Sequence, residues 1–238
     1  MSAGDRPPST AGGETGRTRR IVRREALVDA AQGRSPVTYA EAALADRLSP
    51  SRKDRLTPHS LAFYVDVITS GTVLGAKPTD GPDQVTAILG SDFVENSFGK
   101  QSMWRDYGVV EFHWVRESRD HPWVGHHFTL QVHRLSSGGS VVKGAIRERY
   151  GRFDRHLRFD KLERLLAKRG VRMEDVPDGN APAFTLHWQP ASQVSVMVCR
   201  APVRGKRRWG GQHIGDVCYV SSSMSAEQVA LNRARYGR

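Results

Sequence analysis

No stretch of this 238-residue chain approaches the roughly 18 consecutive apolar residues that a membrane helix needs. Met1 to Gly16 is polar and lacks the apolar core of a secretory signal, so the sequence predicts a soluble, cytoplasmic protein. Cysteine is scarce. Cys199 and Cys218 have no CxxC spacing and no His at ligand distance in sequence, which argues against a disulfide framework or zinc knuckle and leaves buried, reduced thiols as the expectation. GxGxxG, Walker and GxSxG signatures are missing too, removing the strong nucleotide-binding and serine-hydrolase readings. Hydrophobic residues make up only 38% of the chain, so part of it is expected to lie outside any packed core.

What is abundant is positive charge, and it is local. Lys and Arg number 36 against 25 acidic residues, a net charge of +11. Residues 1–24 carry +4, residues 25–140 carry −3, residues 141–172 carry +7 and residues 173–238 carry +3. A slightly acidic body with two basic segments does not suit generic coating of nucleic acid. Arg supplies 29 of the 36 cations, and guanidinium favours bidentate contact with carboxylate or phosphate, hence an acidic partner. A GC-rich coding sequence would enrich Arg, Ala, Gly and Pro with no partner at all.

The composition of residues 1–24 predicts a disordered basic tail. Residues 25–60 read as a helical arm and linker, with Thr38 and Glu41 at capping-box spacing and Ser49-Pro50 as a stop. Leu61 to Ile68 is apolar on both faces and reads equally as strand or buried helix. Pro82, the i, i+3, i+4 set Val85, Ile88 and Leu89, and Gly90 predict a helix over 81–89. Alternation predicts strands over 107–116 and 126–135, with 141–150 as a third. Phe159, Leu162, Leu165 and Leu166 form the stripe of an amphipathic helix over 157–169, closed by Gly170. Strands are expected over 184–188, 194–200 and 216–220, and a short helix or tail over 224–238 with Ser225 as N-cap. The predicted fold is therefore one α+β domain over 61–223, mainly antiparallel sheet packed by a few amphipathic helices.

Three constellations are candidate sites. The first is Arg204, Arg207, Arg208 and Trp209 in the loop 201–215, a basic-aromatic cluster suited to anchoring a protein interface or stacking on bases. The second is Arg147, Arg149, Arg152, Arg155 and Arg158, with Tyr150 and Phe153 interleaved, the nucleic-acid alternative. In the third, Glu111, His113, His127 and His133 project to one side of a hairpin. They would ligate a metal if the register brought them together, or else form the solvated face of a sheet buried on one side. No metal or cofactor is otherwise implied, and no Ser, Cys or carboxylate has an identifiable catalytic partner, so the sequence favours a protein that is not an enzyme.

The run GTVLGAKPTDGPDQVTAILG followed by WRDYGVVEFHW, then RFDKLERLLAKRGV and WQPASQVSVMV, resembles small bacterial immunity-type proteins of polymorphic toxin systems over about Leu61 to Ser223. That resemblance implies a helix ending in Leu-Gly ahead of a DYG turn and an antiparallel sheet. It carries no site residue over. The function it implies is non-catalytic binding of a protein partner, a cognate toxin. The basic charge of this chain requires that toxin to present an acidic surface, since a basic one would be repelled. The alternatives are a nucleic-acid-binding protein and a metal-dependent enzyme.

Overall fold

The computed structural model describes residues 59–200 and 211–237. The expected tail, the arm as far as residue 58, and Arg204, Arg207, Arg208 and Trp209 lie outside the described residues. The fold is α+β: an eight-stranded, wholly antiparallel sheet with helices.

Helix α1 (His59–Ser70) resolves the ambiguity of the first apolar run. Phe63, Tyr64, Val65, Val67 and Ile68 are all buried, as in a helix surrounded by protein, and Gly71 at φ +68° ends it. Helix α2 (Pro82–Leu89) matches expectation, with Gln84 Oε1 accepting the Gly81 N–H at 2.8 Å. Strands β1 (Val94–Phe98), β2 (Ser102–Asp106), β3 (Val110–Val115) and β4 (Val124–Leu130) then form a meander. The strand expected over 126–135 ends at Leu130 and passes into 3-10 turns over Val132–Ser137.

The predicted third strand over 141–150 is instead helix α3 (Gly144–Tyr150). Ile146 and Tyr150, four residues apart, are its buried side, a helical rather than an alternating spacing. Helix α4 (Phe159–Lys168) buries Phe159, Leu162 and Leu166. A second meander follows: β5 (Glu174–Val176), β6 (Phe184–Gln189), β7 (Val194–Cys199) and β8 (Val217–Ser221). Helix α5 (Ala226–Tyr236) closes the described chain, and the Ser225 hydroxyl accepts the Gln228 N–H at 3.2 Å.

The sheet order is β1-β2-β3-β4-β8-β7-β6-β5, so the meanders join through their last strands, with Thr129 opposite Ser221 and Leu130 opposite Val220. Two helices followed by four strands thus occur twice along the chain, although no fixed-period repeat marks it in the sequence. Alternation sorts the side chains. Phe112, Trp114, Phe128, Leu130, Val196, Val198 and Val220 face α1–α4 and form one core with them. On the opposite face a smaller cluster of Val176, Trp188 and Val229 seats α5 over the β5–β6 end, where Trp188 Nε1 donates to Met224 O at 2.8 Å.

Candidate interaction surface

The register lays the face opposite α1–α4 out in rows. At one end Phe98, Ser102, Val115 and Val124 lie opposite one another across β1–β4. Three of the four are apolar, yet Phe98 is 82% exposed, Val124 58% and Val115 40%. Isolated exposed apolar residues need no explanation, but Val115 and Val124 are neighbours on adjacent strands, and Phe98 continues the same row one strand beyond Ser102. The next row is Asn96, Trp104, His113 and His127. Trp104 stacks on His113 at 6.1 Å between centroids, and His113 on His127 at 4.2 Å with ring planes 6° apart. The third row brings Asp106 opposite Glu111 and Glu111 opposite Thr129. Among the described residues, α5 is the helix on this face, and it sits at the far end of the sheet.

A charged clamp holds the centre. Arg134, from the 3-10 turn after β4, donates Nη1 to Asp106 Oδ2 and to Gly108 O, both at 3.0 Å, and Nη2 to Glu111 Oε1. Gln131 Nε2 donates to Glu111 Oε2 at 2.7 Å. Glu111 is 8% exposed. Burial pushes its carboxyl pKa up, but hydrogen bonds from His113, Arg134 and Gln131, with the Arg134 charge, outweigh this and hold it below the ordinary value. Arg134 is held firmly charged, since Asp106 and Glu111 outweigh its desolvation. Burial, reinforced by His113 and His126, pushes the His127 pKa down to about 4, so its ring is neutral at pH 7. Its Nδ1 lies 2.6 Å from Nδ1 of His126, one nitrogen donating and the other accepting.

Of the four residues named as metal candidates, the register brings His113 and His127 face to face and Glu111 within 3.7 Å of His113. Lone pairs of imidazole lie in the ring plane, and two nearly parallel stacked rings do not aim theirs at a common ion. His133 lies beyond the end of β4, in the 3-10 turn, and packs its ring against Tyr219 of β8 at 4.9 Å. Of the basic set, Arg147, Arg149, Arg152 and Arg155 are exposed on and after α3. Arg158 is partly exposed but engaged: its Nη1 donates to Ile214 O at 2.5 Å and stands 3.6 Å from Asp216 Oδ1. Cys199 and Cys218 form no disulfide, and burial raises their thiol pKa values, that of Cys218 to about 12, so neither is a thiolate at neutral pH.

Two groups escaped the sequence reading. Phe98 and Trp104 sit in β1 and β2, whose polar composition gives little alternation to find. His156, His213 and Asp216 converge from segments far apart in the chain and share no motif spacing. The crevice lined by Leu89, Asp92, Tyr107, Lys143, Gly144 and Ile146 has a cavity volume of about 10 Å³, room for no more than about one water molecule, far below the roughly 300–1,000 Å³ of small-molecule sites. Fold and surface together define the class: an α+β protein on one antiparallel sheet, with an ordered aromatic and charged face outside its helical layer. Comparison with protein-family models, curated proteins and solved structures finds no match. Among the described residues no helix is long and apolar enough to cross a membrane.

Proposed function

We propose that this chain is a non-catalytic protein-binding protein, an immunity-like neutraliser of a bacterial toxin with an acidic surface. The observation that supports this reading is the exposed row Phe98, Val115 and Val124 beside the Trp104–His113–His127 stack. Apolar and aromatic groups held on rigid strands lose little entropy when a partner covers them, and Arg and Trp are frequent interface anchors. The net charge of +11 favours an acidic partner. The loop cluster Arg204, Arg207, Arg208 and Trp209 would add contacts of the same kind.

The test is co-purification from native lysate with wild type, Phe98→Asp and Val124→Asp in parallel. A stoichiometric partner is expected that is toxic when expressed alone and harmless when co-expressed with this chain. Each variant should fold normally and bind it at least about 30-fold more weakly, the roughly 2 kcal/mol of a hot-spot side chain. Equal binding by both variants, or a partner without toxicity, overturns the reading.

Exposure of Arg147, Arg149, Arg152 and Arg155 supports a second reading, nucleic-acid binding. Its signature is affinity that falls log-linearly with salt. Failure of both duplex and single-stranded probes to bind at low salt removes it.

A further inference from the structure

The side chains of His156, His213 and Asp216 converge at the junction between the α3–α4 connection and the entrance to β8. Backbone pairing builds this junction. Phe159 N donates to Gly215 O at 3.0 Å, and Val217 N to Leu157 O at 2.8 Å. The segment carrying His156 is thereby fixed against the turn carrying His213 and Asp216. The depth profile is that of a cup: Asp216 is 2% exposed, whereas the His156 side chain is 34% and the His213 side chain 70% exposed.

The carboxylate is used unevenly. Three nitrogens crowd Oδ2: the His213 backbone N–H at 2.8 Å, His156 Nδ1 at 2.9 Å and His213 Nδ1 at 3.4 Å. An oxygen with two lone-pair directions does not satisfy three donors well. Oδ1, by contrast, is enclosed with no hydrogen-bond partner, and Arg158 Nη1 at 3.6 Å lies beyond hydrogen-bonding reach. The buried carboxylate thus has one oxygen crowded by imidazole and backbone nitrogens and the other without a hydrogen bond, balanced among the described residues only by the Arg158 guanidinium at ion-pair distance.

We propose that His156 Nδ1, His213 Nδ1 and Asp216 Oδ2 form a zinc site. With ligand bonds of about 2.0–2.1 Å, tetrahedral geometry separates neighbouring ligand atoms by about 3.3 Å. The observed separations of 2.9 and 3.4 Å from Oδ2 bracket that value, and all three ligand atoms lie within 4.8 Å of one another. Each imidazole then presents a lone pair in place of a proton, one lone pair of Oδ2 meets the ion and the other keeps the His213 N–H. Two imidazoles and one carboxylate are a zinc donor set that leaves the fourth position to water or to a side chain of a docking protein. The ion ties the turn that carries His213 and Asp216 to the α3–α4 connection. The site does not depend on the binding reading above.

The test uses full-length protein without an affinity tag, stripped by a chelator and titrated with Zn²⁺ against a chromophoric competitor, with Co²⁺ as a spectroscopic probe. One Zn²⁺ per chain is expected, with the intense visible bands of four-coordinate Co²⁺. His213→Ala, a change at an exposed side chain, should weaken binding by at least about 100-fold, as should His156→Ala, since loss of a direct ligand exceeds the 10–100-fold typical of outer-shell partners. A His113→Ala, His127→Ala double variant should bind like wild type. Substoichiometric zinc in wild type, undiminished affinity in His213→Ala, or loss of the ion in the sheet-face double variant each overturns the proposal.

Discussion

Replacing Arg134 by Met isolates what the central clamp contributes. Met keeps much of the stem's packing but removes the donors to Asp106, Gly108 O and Glu111. Breaking a fully buried ion pair by removing one partner costs about 3–5 kcal/mol. Here the Glu111 side chain is 10% exposed and retains the Gln131 bond, while Arg134 itself is 33% exposed and partly screened. Asp106 still accepts the Gly108 N–H at 2.7 Å and adds only the scale of a surface pair. The expected loss is therefore about 3 kcal/mol at pH 7, read by urea denaturation, and a fall in Tm of about 6–12 °C for a folded unit of this size. The pH profile is sharper. In wild type the folded pKa of Glu111 lies below its unfolded value, so its contribution is present above the unfolded pKa and lost as pH falls through the folded one. In Arg134→Met the carboxylate has lost its cation, its pKa rises above the unfolded value, and mild acidification towards about pH 5 narrows the gap to wild type. Adding Glu111→Gln to Arg134→Met removes the stranded charge and should recover at least about 1 kcal/mol. A loss below about 1 kcal/mol, or a double variant no more stable than Arg134→Met, would refute the reasoning.

Because His127 titrates near 4 when folded and near 6.5 when unfolded, the unfolded chain binds the extra proton between these values. Stability should fall as pH drops through that window, less steeply in His127→Gln than in wild type; equal slopes count against it. Gly125→Ala places a Cβ 2.6 Å from Thr79 C and 2.8 Å from Asp80 O, closer still to Pro78 O, all backbone. The 78–80 loop must shift and weaken the Trp114 Nε1 bond to Asp80 O, now 2.8 Å. A cost of about 2–3 kcal/mol with altered Trp fluorescence is expected, and wild-type stability would contradict it. Ser225→Ala removes the α5 cap and should destabilise that helix by about 1 kcal/mol. Faster amide exchange confined to α5 is the readout; unchanged exchange there would show that the cap contributes nothing.

The sequence by itself determined the elements whose local chemistry and burial agree. Pro82 and Gly90 bracket α2, the Phe159, Leu162, Leu165, Leu166 stripe marks α4, and alternation marks β3 and β7, because each signal is read within one element. It also placed Glu111 and His113 on one face of β3, since strand period alone decides that. Only the tertiary structure decided the rest. Residues 61–68 became a helix, despite β-branched Val65, Val67 and Ile68, because Phe63, Tyr64, Val65, Val67 and Ile68 present a broad apolar face that the core covers. Residues 144–150 became a helix because Ile146 and Tyr150 enter the core four residues apart. The strands β1, β2 and β5 are short or polar and owe their conformation to neighbours that pair with them. Pairing register, a long-range property, stacked His113 on His127 in parallel planes and set Phe98 in line with Val115 and Val124. It was likewise chain crossing at the β8 entrance, between residues about sixty positions apart, that brought His156 to Asp216, a proximity that no local spacing encodes.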